Sequence, residues 1–295
     1  MTTPVTQTMG PPGHITSPTE PYPSPEALAR ATTTHRQGRF AISTRKLPIS
    51  KAGPIDAMSA DLGIPIPEMI FGDNLVRVAH DGSGWSVAFT ARDALDAVDK
   101  TGDKMLQVSY ARDWSASRER TSAGIQEVVK PFDWSYSTEY RGTVAVEQEG
   151  AANKSFAPSD RPIPIELLKR RDPILFFDDV ILYESEMDDN GISIYSVKVR
   201  VHEERMLLLA RLFMRLDNVV VRIRDTRIYV DFATEEVIRE YTAKEAGFED
   251  VKRKLLMTGL RPDEVPAALR DANQIAELLK DRIVDGSLES VKLGS

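Results

Sequence analysis

The stretch that decides the fold is 206-MLLLARLFMRLDNVVVRIRDTRIYVDF-232. Apolar and β-branched residues run up to Asp217-Asn218 and resume at Val219, which is the pattern of two strands joined by a tight turn. With a two-residue turn, Leu216 faces Val219, Met214 faces Val221 and Leu212 faces Ile223. Side chains alternate along a strand, so these six share one wholly apolar face. The other face then pairs Arg215 with Val220, Phe213 with Arg222 and Arg211 with Arg224. Four arginines on one side of a sheet repel one another unless acids or an anionic partner neutralise them. Either the arginines pair with local Asp and Glu on a solvated face, or the face binds something anionic.

Upstream, Ile174–Glu184 and Ile192–Val201 flank Asp189-Asn190-Gly191, and Asn-Gly is a strong turn signal. In the second segment Tyr195, Val197, Val199 and Val201 face one way, while Ser196, Lys198 and Arg200 face the other. With the central hairpin this predicts four consecutive antiparallel strands. Their polar face collects Lys198, Arg200, Arg211, Arg215, Arg222 and Arg224. Downstream of Phe232 the pattern turns helical, with Thr234-Glu235-Glu236 as a cap. Ile275, Leu278, Leu279 and Ile283 recur at helical spacing, with Gly286 as a stop.

Toward the N-terminus, Leu75–Val78 and Trp85–Phe89 flank Asp81-Gly82-Ser83-Gly84, a second hairpin. Thr90 caps a helix over Thr90–Val98, and Asp56–Leu62 is a short helix stopped by Gly63 and Pro65. Phe40-Ala41-Ile42 starts the folded part, Met105–Tyr110 is a strand, and Ser115–Gly124 is a loop. Phe132, Trp134, Tyr136 and Tyr140 share one buried face if their segment is extended. Glu147–Pro164 is a loop and Ile165–Arg171 a short helix. Residues 1–36 are Thr- and Pro-rich and bury too little apolar surface to offset ordering entropy, which predicts a disordered tail.

Of the 295 residues, 41% are hydrophobic, enough for one sizeable core. A net charge of −7 argues against a basic nucleic-acid binder or a polybasic membrane-surface protein. Without cysteine there is no structural disulfide, no Cys-ligated zinc and no thiol catalysis. No secretory signal is read at the N-terminus, and Arg211 and Arg215 interrupt the most apolar run, so a soluble cytoplasmic or nuclear protein is expected. Nucleophile elbow, Walker loop and dinucleotide fingerprint are all missing. His80-Asp81 could begin an acid–base pair, but a turn histidine is more often simply exposed. Asp178-Asp179 and Asp188-Asp189 are adjacent, and adjacent strand side chains point apart. Asp225-Thr226-Arg227 places a carboxylate, a hydroxyl and a guanidinium beside the basic face; by itself it reads as a bulge or turn with a local Asp–Arg pair. No catalytic, cofactor or metal residue is read.

Several stretches together resemble the TOR signalling pathway regulator-like family, abbreviated TIPRL. They are Pro67–Asn74 (PEMIFGDN), Asp93-Ala94-Leu95, Val129–Thr143 (VKPFDWSYSTEYRGT), Ile174–Glu184, Val197–Val201, Arg222–Tyr229 and Arg239–Thr242. The resemblance covers about Phe40 to Lys244. It implies an α+β domain around antiparallel sheet, taken as residues 37–286; residues 287–295 are read as a flexible C-terminus. It also implies a non-enzymatic regulator that binds catalytic subunits of the 2A, 4 and 6 types of serine/threonine phosphatase. The phosphatase's C-terminal tail, apolar and aromatic with a free carboxylate, enters a groove. Positions matching those implicated in contact are Asp93, Ile163, Ile223, Asp225, Arg227 and Tyr241. The alpha-four-type phosphatase-binding protein is a further partner in fungi, and a monomer without cofactor is expected. The alternative is an enzyme or binding protein for an anionic small molecule at the arginine face.

Overall fold

The computed structural model describes residues 23–101, 132–146, 154–187 and 189–294. Two antiparallel sheets carry the fold. The smaller contains β1 (Thr32–Gln37), β2 (Phe40–Arg45), β4 (Leu75–His80), β5 (Trp85–Thr90) and β6 (Thr143–Val146), in the order β1-β2-β4-β5-β6. The larger contains β3 (Met69–Ile70), β7 (Ala157–Pro158), β8 (Phe176–Ser185), β9 (Gly191–Val201), β10 (Arg205–Leu216), β11 (Val220–Asp231), β12 (Glu236–Gly247) and β13 (Ile283–Lys292). Its order is β3-β8-β9-β10-β11-β12-β13-β7. Helices α1 (Pro25–Ala31), α2 (Ala52–Leu62), α3 (Ala91–Asp96), α4 (Ile165–Leu168), α5 (Phe248–Met257), α6 (Val265–Ala268) and α7 (Ala272–Leu278) flank the sheets.

The main core lies between the sheets. Met206, Leu208, Ala210 and Leu212 of β10 and Ile228 and Val230 of β11 meet Phe40, Ile42, Val76, Val78, Val87 and Phe89 of the smaller sheet. This defines an inner face of the large sheet. Its outer face carries a second core, where Phe213, Val221 and Ile223 pack under Val251, Leu255, Val265, Ile275 and Leu279. Both faces are therefore buried over much of their area, unlike the half-solvated sheet that strict alternation describes.

The central hairpin exists, but its register is one residue off the two-residue reading. Leu216 pairs with Val220, Phe213 with Ile223, Leu212 with Arg224 and Arg211 with Asp225. The loop is Asp217-Asn218-Val219, closed by the Val219 amide donating to the Leu216 carbonyl at 3.1 Å. Asn218 sits at φ 63°, a left-handed position that Asn tolerates better than most residues and that three-residue hairpin loops use. Slipping one residue turns β11 over relative to β10. Arg211 and Arg215 thus lie on the outer face with Lys198 and Arg200, whereas Arg222 and Arg224 lie on the inner face. The wholly apolar face and the four-arginine face are both replaced by two mixed ones.

Other expectations fare unevenly. β8 to β11 are four consecutive antiparallel strands, and the Asp81–Gly84 turn joins β4 and β5. Thr90 caps α3, its side chain accepting from the Asp93 amide at 3.1 Å. The segment after Phe232 is a strand, not a helix. In β12, Val237, Arg239, Tyr241 and Ala243 alternate inward, and Asp231 to Val220 pair with Glu236 to Gly247. Helix-favouring Glu, Lys and Ala masked that alternation. α2 starts earlier than read, at Ala52, without a side-chain cap. The helix expected through Ile283 ends at Leu278, and Ile283 opens β13. Gly286 is no stop; it lies opposite Thr242, where a Cβ would sit 3.3 Å from the Tyr241 carbonyl.

The domain limits shift accordingly. Residues 25–36, read as tail, form α1 and, with Gln37, β1; α1 is capped by Ser24, and β1 is held to the body by Gln37 Nε2 donating to the Glu203 carbonyl at 2.7 Å. Residues 287–292, read as flexible, belong to β13, which pairs with β12 as far as Glu236–Lys292. Residues 132–142 are not an extended strand, since Tyr136 has φ 53° and the only bridge they make among the described residues is Val98–Thr138. Phe132 and Tyr136 are nonetheless core residues, and Trp134 and Tyr140 pack against the same core. The expected strand Met105–Tyr110, the Ser115–Gly124 loop, residues 1–22 of the tail and 147–153 lie outside the described residues.

Candidate functional site

Register alone arranges the outer face into rows across the strands. One row is Phe177, Arg200, Leu207, Tyr229 and Ile238. The next is Asp179, Lys198, Leu209, Arg227, Glu240 and Leu288. A third is Ile181, Ser196, Arg211, Asp225 and Thr242. One flank is walled by α7: Arg211 donates to the Ala272 carbonyl at 3.2 Å and to Asn273 Oδ1 at 2.9 Å. The other is walled by α4 and its preceding loop, whose Ile163 and Leu168 pack on Tyr229, Ile238 and Leu207. Between the walls runs a strip of sheet, the trough, whose most exposed apolar residues lie on and beside β8. There Leu175 and Phe177 are 48% and 54% exposed, and Ile165, Ile174 and Ile181 are exposed too.

Acids neutralise most of the trough's charges. Lys198 meets Asp179 at 3.0 Å and Arg227 meets Glu240 at 3.0 Å, both pairs partly exposed. Arg205 is held by Asp172. Asp178, the neighbour of Asp179, points the other way and accepts from Thr44 at 2.6 Å, as adjacent strand residues should. Lys244 is buried and donates to the Ala276 carbonyl at 3.2 Å; burial lowers its pKa, with Asp225 opposing.

Asp225 does not point to solvent. It is 1% exposed, and Arg211 grips it with two bonds, Nε–Oδ1 at 2.6 Å and Nη2–Oδ2 at 2.8 Å. This is a local Asp–Arg pair, formed across the hairpin rather than within the Asp225-Thr226-Arg227 triplet. Ile223 is buried beneath the helices, and Ile163 caps Tyr229 and Ile238. Arg227 alone of the triplet reaches the trough with an accessible side chain. Asp93 and Tyr241 lie on the inner side instead. Asp93, in the first turn of α3, accepts from Thr143 Oγ1 at 2.6 Å. Tyr140, whose hydroxyl lies 3.5 Å from the same carboxylate, is pushed up to about 12 chiefly by burial. Tyr241 lies under the Arg141 guanidinium, 4.1 Å from the ring centroid, and its buried hydroxyl has no hydrogen-bond partner among the described residues. The six positions that the resemblance implies therefore divide between the two faces.

Arg222 and Arg224 line a separate inner cleft of about 250 Å³ with Asp133, Glu139, Ser137 and Thr138. Arg222 donates to Glu245 at 2.7 Å and faces Asp133 at 3.5 Å; Arg224 also reaches Glu245. Acids outnumber cations there, so the cleft is a poor anion site. His80 is buried rather than exposed, while Asp81 pairs outward with Arg36. The His80 ring sits 2.8 Å from Ser83 Oγ through Nδ1 and 3.3 Å from Glu235 through Nε2. Ser, His and Glu in that order suggest a hydrolytic triad. Yet Ser83 is buried and its Oγ also accepts from the Trp85 amide, so it offers no free nucleophile. Among the described residues no group of three His, Asp or Glu could hold a metal, and no helix is long and apolar enough to cross a membrane.

The exposed apolar residues of β8 were not singled out from sequence, although the alternation of Phe177, Asp179 and Ile181 in Ile174–Glu184 carries them. Comparison with known proteins agrees with the TIPRL resemblance. The TIP41-like family matches residues 69–252, more than half of the chain. "Type 2A phosphatase activator TIP41" of Saccharomyces cerevisiae is 38% identical over 253 residues, 81% of this chain and 69% of that protein. The "TIP41-like protein" of Homo sapiens is 35% identical over 243 residues, 82% of this chain and 87% of its own length. "Type 2A phosphatase activator tip41" of Schizosaccharomyces pombe is 33% identical, over 81% of this chain and 91% of its own. On the extent of these matches, the chain belongs to the TIP41-like family.

Proposed function

We propose that this protein is a non-enzymatic regulator that binds catalytic subunits of type 2A-like serine/threonine phosphatases, of the 2A, 4 and 6 types. It takes their C-terminal tail into the outer-face trough and modulates their activity and assembly in TOR signalling. The observation that carries this reading is the trough itself, an open strip of sheet with apolar Leu175, Phe177, Ile181 and Leu209 interleaved with Lys198, Arg200 and Arg227. Such a strip suits an extended peptide with apolar side chains and a terminal carboxylate. The names of the yeast relatives, which call them type 2A phosphatase activators, point the same way. Arg227, and the lid residue Ile163, are the implicated positions that reach or border the trough. Asp225 and Ile223 shape it from beneath. The alpha-four-type protein is a second partner, the protein works as a monomer, and it acts in the cytoplasm and nucleus. The test is a pull-down of phosphatase catalytic subunits with and without their tails. Capture of the tailed subunit and loss of the tail-less one is expected; equal capture removes the trough from the contact.

The anionic small-molecule reading is less favoured by the same geometry. Arg222 and Arg224 share their cleft with an excess of acids, and on the outer face Lys198 and Arg227 are already paired with Asp179 and Glu240. A metabolite that raised the melting temperature would revive it.

A further inference from the structure

We infer that Arg200 is the carboxylate anchor of the trough, with Leu175 and Phe177 as the apolar ledge that receives the last side chain of the bound tail. The inference rests on the tail-binding reading above and adds the end at which the tail terminates.

The cations on the outer face of β9 to β12 differ in what holds them. Arg205, Arg211, Arg215, Arg227 and Lys198 each face an acid, and Lys244 is buried against a main-chain carbonyl. Arg200 is exposed, and among the described residues its side chain has neither an ion pair nor a hydrogen bond. A guanidinium already paired with a carboxylate must surrender that bond to take another, so an anion gains most at the unpaired one. Arg200 lies directly opposite Phe177 in the β8–β9 register, and Leu175 precedes Phe177 by two residues. The Leu175 amide donates to the Val201 carbonyl at 2.8 Å, which keeps this segment against β9. Two large apolar side chains, each about half exposed, thus stand beside one free guanidinium. A chain terminus with an apolar last residue presents the complementary pair, a carboxylate and an apolar side chain on one Cα. From there the rest of the peptide runs along Leu209 and Arg227 between the two walls.

The experiment uses the full chain and a synthetic peptide of a 2A-type catalytic subunit's C-terminal tail, made as the free acid and as the C-terminal amide. Calorimetric titration of wild type should show the free acid binding about tenfold tighter than the amide, as for one charge-assisted contact. Arg200→Gln should bind the free acid about as weakly as wild type binds the amide and should no longer distinguish the two peptides. Arg200 is exposed and unpaired, so melting curves of the variant should match wild type. Failure of wild type to bind either peptide overturns the tail-binding reading and the anchor with it. Binding by wild type without discrimination, or discrimination that survives Arg200→Gln, leaves the trough in place and overturns the anchor alone.

Discussion

The two ends of the outer sheet face are built from the same kinds of residue, yet they are packed differently. At the end under α5 to α7, arginines are structural. Arg211 clamps Asp225 and two groups of α7, and Arg215 clamps Asp217 and the Leu269 carbonyl. Around them Phe213, Val221 and Ile223 are fully covered. At the β8 end no helix among the described residues lies over the sheet; Arg200 has no partner among them, and Phe177 is exposed. Covering a guanidinium forces it to find every partner it needs, because an unpaired buried charge is very costly. Leaving it open keeps it available for a ligand. Arginine on a strand therefore signals binding only where the fold leaves its face uncovered.

The largest expected effect breaks the covered end. Asp225→Asn removes the charge that Arg211 was buried against and should cost about 3–5 kcal/mol of stability in a urea titration. A loss under about 1 kcal/mol would mean that the pair carries surface-like energy and that the two ends do not differ as described. Leu212→Ala, on the inner face of the same strand, should cost about 2–5 kcal/mol through a cavity in the main core. The two-residue turn placed Arg211 opposite Arg224 on a face of unsatisfied arginines, away from the apolar side of Leu212. With Arg211 buried, Arg211→Ala should be of similar cost to Leu212→Ala, and a large gap between them would restore the solvated reading.

A smaller effect reads the seam between the two sheets. Burial holds the His80 pKa below its ordinary value; Arg39 and Lys154 add to the lowering, and Glu235 opposes it. A depressed histidine is neutral in the folded state while the unfolded chain takes up a proton near pH 6.5. Stability should therefore be constant above that pH and fall below it, with a slope of at most about 1.4 kcal/mol per pH unit. His80→Gln should flatten the decline between pH 7.5 and 5.5 in thermal melts. An unchanged slope would assign it to other groups.

How much of this was legible in the sequence follows from where local rules apply. The strands β8 to β11, the β4–β5 hairpin and the Thr90 cap follow from alternation, turn chemistry and capping, which act over a few residues. The register of the central hairpin did not, because it depends on one left-handed residue, Asn218, and that single step moved Arg222 and Arg224 to the opposite face. β12 was hidden by helix-favouring side chains and is a strand because β11 and β13 pair with it on both sides. α1 and β1 lay in a segment whose composition resembled a tail, while their order comes from capping and from pairing with β2. The candidate site shows the same split. The DTR triplet drew notice by charge density, but Asp225 is buried in a pair with Arg211. Phe177 drew none, because its exposure depends on which part of the sheet the helices leave open.

The smallest expected effect on stability sharpens the open end. Arg227 sits in the trough floor with its side chain about one-third exposed and its guanidinium paired to Glu240 at 3.0 Å. Lysine keeps the charge but lacks the planar fork that can hold Glu240 and a passing peptide group together. An exposed ion pair of this kind contributes about 1 kcal/mol or less, so Arg227→Lys should leave the urea midpoint nearly unchanged. Its effect should appear in binding, as a loss of about 1–3 kcal/mol against a phosphatase catalytic subunit. The contrast with Arg200 lies in what is lost. On the proposed reading Arg227 meets the middle of an extended peptide, so Arg227→Lys should weaken the free-acid and amide tails equally. Arg200→Gln should weaken only the free acid. If Arg227→Lys instead erased the preference for the free acid, the carboxylate would sit at mid-sheet and the ledge at Phe177 would be empty. If it changed neither binding nor stability, the Glu240 pair would be a solvated ornament of the face and the contact would lie wholly over β8 and β9.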